Sequence, residues 1–146
     1  MAVRMELSRI LIRELNDYQI IELREMRDEN SDAASPARSF PIVIGLPEAQ
    51  AIERRLKGIT IKRPQTHDLL ANVIEQLGGR LRSITISDLA DSTFYATLDV
   101  ELGEELLRID ARPSDAIALG IAGGVPVYVA EHVLDAAAAE EGEGES

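Results

Sequence analysis

Two short stretches of the sequence place charged side chains directly before apolar segments, at spacings that could support chemistry. In the first, Arg112, Ser114 and Asp115 precede the apolar run AIALG, and Asp110 stands two residues before Arg112. Paired carboxylates can hold a hard cation such as Mg²⁺ or Mn²⁺, and the planar guanidinium of arginine can grip two phosphate oxygens. A cation held in this way activates water for phosphodiester cleavage. These residue types therefore suggest a phosphate-processing site, with Asp110 and Asp115 as the cation ligands.

Local structure offers a second explanation for the same residues. Serine and aspartate are favoured at helix starts, because their side-chain oxygens accept hydrogen bonds from free backbone N–H groups. In this interpretation Ser114 or Asp115 caps the helix and Arg112 pairs with an acidic neighbour, which accounts well for Ser114 and Asp115. It accounts less well for Asp110 and Arg112, which stand further from the apolar run. The spacing alone leaves both interpretations open.

The second stretch, RPQTHDLL, contains a histidine that could move protons near neutral pH. Arg63 could bind phosphate beside His67. The simpler interpretation is a helix start, in which Thr66 is the N-cap and Asp68 compensates the positive end of the helix. Adjacent helix residues point about 100° apart, so His67 and Asp68 do not form a ready dyad.

Glu48, in the stretch GLPEAQ, falls in the first turn of a predicted helix. A carboxylate is favourable at that position because the helix dipole is positive there. Glu48 could instead join Asp110 and Asp115 as a metal ligand. The sequence contains no Gly-rich phosphate loop, zinc-type His/Glu spacing or Gly-x-Ser-x-Gly elbow, which excludes those familiar site classes.

The hydrophobic pattern predicts the elements that must position these residues. Short apolar or alternating runs predict strands at 5–15, 18–27, 40–45, 81–89, 93–102, 105–110 and 125–130. Helical spacing predicts helices at 47–58, 66–79, 114–124 and 131–140, and an exposed loop is expected at 28–39. The apolar stripe of the second helix consists of Leu69, Leu70, Val73, Ile74 and Leu77. Because strands and helices do not alternate regularly, we expect an α+β fold: a mixed, largely antiparallel sheet with about four helices.

Composition limits the domain organisation and the partners. The 146 residues suit one compact domain, which we place at 1–138, followed by an acidic disordered tail at 139–146. The absence of cysteine is compatible with a reducing cytoplasm, and neither a signal peptide nor a membrane-spanning run is predicted. The net charge of −11 counts against sequence-independent binding of nucleic acid. Exposed strand edges favour a homo-oligomer, in the first place a dimer.

Four ordered motifs together resemble those of the bifunctional nuclease family, the DNase/RNase domain of bacteria and plants. They are FPIVIGLPEAQAI, RPQTHDLL, TFYA and IDARPSDAIAL, and the ending VPVYVAEHVLD fits as well. The resemblance covers residues 5–135 and implies a small α+β domain with activity on both DNA and RNA. The polar motif positions that it carries over are Glu48, Arg63, His67, Asp68, Asp110, Arg112, Ser114 and Asp115.

Two functional hypotheses follow. The first is a metal-assisted phosphodiesterase that cleaves nucleic acid. Its catalytic residues would be His67, Asp68, Asp110 and Asp115, its substrate-binding residues Arg63, Arg112 and Ser114, and its metal ligands Asp110, Asp115 and Glu48. The second is a non-enzymatic binding or regulatory module, whose charged motifs serve to cap buried helices.

Overall fold

The structure, a computed structural model, describes residues 2–27 and 36–144, with side chains as far as residue 139. Within these ranges the chain forms one seven-stranded sheet and four α-helices, which confirms the expected α+β class. The strands are β1 (Ala2–Leu11), β2 (Gln19–Glu25), β3 (Ser39–Ile44), β4 (Gly79–Ala90), β5 (Thr93–Leu102), β6 (Glu105–Ala111) and β7 (Val127–Ala130). The helices are α1 (Leu46–Lys57), α2 (Thr66–Gln76), α3 (Pro113–Gly120) and α4 (Glu131–Gly144), and a single 3₁₀ turn (Ile121–Gly123) follows α3.

The sheet joins two antiparallel meanders through its last strand. Its order is β3-β2-β1-β7-β4-β5-β6, and β7 pairs antiparallel with β1 but parallel with β4. Phe40 of β3 and Phe94 of β5 stack with ring centroids 5.5 Å apart, although four strands separate β3 from β5 in the sheet. The sheet is therefore strongly curved, which brings the outer edge of β3 towards the start of β5.

The core is aliphatic and centres on α3. Ala116, Ile117, Ala118 and Leu119 are all buried, so that this helix is apolar nearly all round, as the sequence predicted. Gly120 closes the helix against β4, where a Cβ atom would lie 2.5 Å from Cδ1 of Ile84. Close packing of this kind leaves little freedom for α3 to shift, so the residues at its start are held firmly.

Most of the apolar stripe predicted for α2 does not face the core. Leu69, Leu70, Val73 and Leu77 are exposed, Leu77 by 75%. Ile74 is the member of the predicted stripe that packs against the core, and Ala71 packs there beside it. An α-helix with two apolar stripes can bury only one of them against a single sheet, and here the less hydrophobic stripe is inward. His67 lies one turn before Ala71 on this inward side, which places its ring inside the fold.

Several predicted boundaries also shift. Gln65, rather than Thr66, is the N-cap of α2, and Asp68 accepts a hydrogen bond from the Gln65 N–H at 3.0 Å. Helix α4 continues to Gly144, into the segment predicted as a tail, because its alanine-rich stretch has high helix propensity. The division of the chain at 138 stays a prediction. The loop predicted at 28–39 lies largely outside the described residues. No helix in the described ranges has both the length and the apolarity to cross a bilayer.

Candidate functional site

The starts of α2 and α3 face each other and bring a histidine to a carboxylate. The Nε2 atom of His67 lies 2.9 Å from Oδ1 of Asp115, across 48 residues of sequence. The side chain of His67 is 14% exposed and that of Asp115 is 34% exposed. Both residues lie in the first turns of their helices, so a tertiary contact, rather than local spacing, forms this pair.

An arginine extends the pair towards solvent and links it to α1. Nε of Arg112 donates a hydrogen bond to Oδ2 of Asp115 at 2.8 Å, and Nη2 of Arg112 lies 3.2 Å from Oε1 of Glu48. The Arg112 side chain is 64% exposed. We call Glu48, His67, Arg112 and Asp115 the charged cluster. Its buried end is an imidazole and its open end is a guanidinium.

A glycine makes room for the carboxylate of Glu48. Gly45 is the N-cap of α1, and a Cβ atom at this position would collide with Oε2 of Glu48. The missing side chain lets Glu48 fold back over the start of its own helix. The carboxylate therefore contacts Arg112 and also offsets the positive end of α1.

The cluster holds Asp115 in its charged form. Burial alone would raise the pKa of Asp115, but hydrogen bonds from Arg112 and His67 outweigh burial, and the pKa lies below its ordinary value. The hydrogen bond to Asp115, its charge and the contact with Glu48 raise the pKa of Arg112. With the ring proton placed on Nε2, His67 donates a hydrogen bond to the charged carboxylate of Asp115. The Nδ1 atom of His67, which makes no hydrogen bond within the described part of the chain, is then the ring's proton acceptor.

Asp68 belongs to a different set of contacts, which ties three helices together. Its Oδ2 accepts a hydrogen bond from Arg54 at 2.8 Å, and its Oδ1 pairs with Arg55. Arg55 also donates from Nε to the Ala118 carbonyl at 2.5 Å and from Nη2 to the Leu119 carbonyl at 3.0 Å. This helix clamp of Arg54, Arg55 and Asp68 occupies both carboxylate oxygens and satisfies carbonyls near the end of α3.

The clamp keeps the Asp68 carboxylate charged. Burial raises the pKa of Asp68. The backbone N–H of Gln65 and the guanidinium groups of Arg54 and Arg55 lower this pKa by more than burial raises it, so the net shift is downward. The contacts of Asp68 account for its position without any chemical role. A catalytic role for Asp68 stays a prediction.

The family model described as "Bifunctional nuclease domain" matches residues 31–142, a span that includes the whole charged cluster and the helix clamp. The chain belongs to the bifunctional nuclease domain family.

Relatives of this bifunctional nuclease domain fall into two groups. Uncharacterized proteins from two strains of Mycobacterium tuberculosis are 41% identical over 109 residues, which is 75% of this chain and 62% of each relative. Bifunctional nuclease 1 of Oryza sativa subsp. japonica is 27% identical over 93 residues, which is 62% of this chain and 28% of the rice protein. The matched region thus spans less than two thirds of these relatives' own length.

The remaining motif residues of the bifunctional nuclease domain do not join the charged cluster. Asp110 lies in β6 opposite Thr97, and cross-strand partners share a face of the sheet. The next residue along β5, Leu98, is buried in the core, so Thr97 and Asp110 lie on the opposite face. Asp110 and Arg63 are exposed, and neither makes an ion pair or hydrogen bond in the ranges that the structure covers.

Of the three predicted metal ligands, Glu48 and Asp115 lie on either side of Arg112, but Asp110 does not join them. Asp115 and Glu48 both contact Arg112, whose positive charge lies between them, while Asp110 faces away. Over residues 2–27 and 36–139 no three His, Asp or Glu side chains are grouped so that they could hold a metal ion. The donor set therefore does not fit Mg²⁺ or Mn²⁺, and we derive no catalytic step through a metal.

The helix-cap interpretation of Ser114 and Asp115 is wrong as well. Helix α3 begins at Pro113, and its N-cap is Arg112, which makes no side-chain cap hydrogen bond. Proline fits the first helical position because its missing N–H has no intrahelical partner there. Asp115 therefore directs its oxygens to His67 and Arg112 instead of capping the helix, and Ser114, 5% exposed, is buried beside it in the chain.

Two polar features of this domain were missed at the sequence level. Arg54 and Arg55 form the clamp with Asp68, and the available signal was a pair of basic residues in the last turn of a predicted helix. The second is Asp99, which lies on the face of β5 opposite to Leu98 but is only 5% exposed. Its carboxylate accepts hydrogen bonds from Ser83, Thr85 and Thr97 at 2.7–2.8 Å. No sequence signal distinguishes Asp99 from its exposed neighbours.

Proposed function

We propose that this chain is a nuclease-like phosphodiesterase that acts on RNA and DNA. The observation that carries the proposal is the hydrogen bond between Nε2 of His67 and Oδ1 of Asp115, with the exposed guanidinium of Arg112 on the same carboxylate. A histidine oriented by a carboxylate is a general base, and an arginine beside it can bind a phosphate. Membership of the bifunctional nuclease domain family and the name of the rice relative support the same class of reaction.

The contacts assign a role to each member of the charged cluster. Nδ1 of His67 takes a proton from the attacking oxygen, which is a ribose 2′-hydroxyl in RNA or a water molecule in DNA. Phosphorus bonds to that oxygen while its bond to the leaving oxygen breaks; the leaving oxygen takes a proton from solvent water, and the imidazolium then returns its proton to solvent. Asp115 stabilises the imidazolium that forms, as the buried aspartate does in other carboxylate–histidine pairs. Arg112 binds the phosphate oxygens, and Glu48 holds the guanidinium in place from its second side.

The deciding experiment measures turnover by the pure protein. We expect a fluorogenic single-stranded RNA to be cleaved at the same rate in 5 mM EDTA as in Mg²⁺ or Mn²⁺, because the charged cluster supplies an acid–base route without a metal-ligand set. Complete loss of cleavage in EDTA would contradict this route and restore a metal-assisted mechanism. A lack of cleavage of both RNA and DNA under all metal conditions would favour the binding or regulatory module instead.

We also propose that the protein is a homo-oligomer, with a dimer favoured, that acts in the cytoplasm. The support for self-association is the exposed stripe of α2, in which Leu69, Val73 and Leu77 follow one another at four-residue spacing. Both outer strands of the sheet, β3 and β6, also leave one edge unpaired in the described structure.

Charge placed on the α2 stripe should dissociate such an oligomer. We expect Val73→Glu to convert a dimer to a monomer, because a carboxylate buried in an apolar interface costs several kcal/mol. Multi-angle light scattering measures the mass, and Glu75→Gln, on the same helix outside the stripe, is the control. A wild-type protein that is monomeric at all concentrations would refute the proposal.

A further inference from the structure

A groove opens beside the charged cluster, and Arg112 belongs to both. It encloses about 660 Å³ and is lined largely by apolar groups, among them Tyr18, Pro41, Val43 and Phe94. Arg112 and Ser114 form part of the same wall. The volume lies in the range of small-molecule sites, which is about 300–1,000 Å³.

The curvature of the sheet builds this groove. The edge of β3, the start of β5 and the start of α3 contribute its lining, and the stacked rings of Phe40 and Phe94 hold β3 and β5 at this distance. These walls come from regular elements, and the short turns before β2 and β5 complete them with Tyr18 and Ser92. The groove is therefore part of the fold itself.

A buried glutamine fixes the turn that carries Tyr18. Gln19, 1% exposed, donates from Nε2 to the carbonyls of Arg13 and Asn16 at 2.9 and 3.1 Å, and its Oε1 accepts the Arg13 N–H. All hydrogen bonds of this side chain serve the connection between β1 and β2. The neighbouring Tyr18 is consequently presented at the groove with its side chain 57% exposed. Because Gln19 fixes the backbone of this turn, binding has to order only the ring of Tyr18 and not the segment that carries it.

We propose that this groove binds the unpaired base and sugar of the nucleotide next to the phosphate held by Arg112, so that the domain selects single-stranded nucleic acid. The inference rests on the proposed function, because it assigns the substrate strand to the same site. Arg112 supplies a cation at one end of the groove, and Tyr18 and Phe94 supply ring surfaces along it. A phosphate beside a flat apolar base has the complementary chemistry.

The lining also distinguishes this occupant from others. A duplex keeps its bases stacked inside the helix, so only an unpaired strand can place a base against Tyr18. An extended peptide would use the free edge of β3, but Pro41, in the middle of that strand, has no N–H to donate. A neutral peptide would also leave Arg112 without a partner beyond its own cluster.

Binding can be tested separately from cleavage. We expect a fluorescein-labelled, nuclease-resistant 12-mer of 2′-O-methyl phosphorothioate RNA to bind the wild-type protein more tightly as a single strand than as a duplex. Tyr18→Ala should weaken single-strand binding by about 5-fold or more, since stacking on an aromatic ring contributes about 1–3 kcal/mol per base. Fluorescence anisotropy gives the dissociation constants, and circular dichroism confirms that the exposed Tyr18 can be removed without unfolding.

Tyr95→Ala is the matched control. Tyr95 is 44% exposed, comparable with Tyr18, but it does not line the groove. Equal binding by wild type and Tyr18→Ala, equal losses in both variants, duplex binding as tight as single-strand binding, or no oligonucleotide binding at all would each overturn the inference. Tyr18-dependent binding without hydrolysis of any substrate would refute the proposed function alone, and hydrolysis that is insensitive to Tyr18 would refute the groove alone.

Discussion

Replacing His67 by alanine is expected to lower kcat for RNA cleavage by about 100-fold or more while the melting temperature changes little. General acid–base catalysis by one positioned group contributes about 10²–10⁴-fold, and His67 is the histidine of the charged cluster. The lost hydrogen bond to Asp115 costs about 1 kcal/mol, since Asp115 keeps Arg112 as a partner. Initial rates at saturating RNA and thermal unfolding of the same samples measure the two effects.

The chain provides a matched control in His132. This histidine lies in α4, is 65% exposed and pairs with Asp88 at 3.4 Å, far along the chain from any member of the charged cluster. His132→Ala should retain wild-type kcat. Equal rates in both variants would show that neither imidazole participates, and would also expose a contaminating nuclease as the source of any cleavage.

A second substitution, Asp115→Asn, tests whether His67 and Asp115 act together in catalysis. In Asp115→Asn the amide can no longer stabilise a positive imidazolium, although its shape is retained. We therefore expect a loss in kcat as in His67→Ala, and little further loss in the double variant, because residues that act as a unit are not additive. Independent, multiplicative losses would indicate that the 2.9 Å contact between His67 and Asp115 has no catalytic part.

The fold was predictable where hydrophobic pattern alone decides it. The apolar residues of α3 leave burial as the only option, and the alternation from Phe94 to Val100 sets the inward face of β5. The choice between the two stripes of α2 was not predictable, because both are apolar and only the position of the sheet decides between them. The sequence favours the stripe that contains the leucines, whereas in the structure Ile74 packs against the core with Ala71 and the leucines are exposed.

The sequence predicted which residue types form the candidate site, but not which of the motif residues meet in the folded protein. Glu48, His67, Arg112 and Asp115 come from three helix starts, and their meeting depends on how α1, α2 and α3 pack. Asp110 stands two residues from Arg112 in sequence, yet its pairing with Thr97 turns it to the other face of the sheet. Proximity in sequence misleads here, because β6 ends at Ala111 and Arg112 already belongs to the start of α3, so the two side chains lie on different elements.

Replacing Asp68 by alanine is expected to have the opposite effect to replacing His67. The helix clamp contains two largely buried guanidinium groups, with Arg54 15% and Arg55 9% exposed, and Asp68 is their carboxylate partner. Removal of one partner from such a pair lowers the free energy of unfolding by about 3 kcal/mol, because the remaining charges stay buried without compensation. The melting temperature should fall by about 6 to 12 °C.

Two further variants test whether the loss of stability comes from the ion pairs of Asp68. Asp110→Ala removes an exposed carboxylate that makes no ion pair in the described structure, so its effect should stay within about 0.5 kcal/mol. Asp68→Asn keeps an oxygen for the Gln65 N–H and should be destabilised less than Asp68→Ala. An Asp68→Ala protein that melts like the wild type but does not cleave RNA would instead establish the catalytic role that the sequence motif suggests.

The pH dependence of this difference follows from the lowered pKa of Asp68. The clamp favours the charged carboxylate, so its stabilisation is fully present above the ordinary aspartate pKa of 3.8 and is lost as the pH falls through the lower value of the folded protein. Urea unfolding at pH 7 should therefore show the full difference between wild type and Asp68→Ala, and the two proteins should converge on acidification below pH 3.8. A difference that stays constant over this range would mean that Asp68 stabilises the helices by packing, independently of its charge.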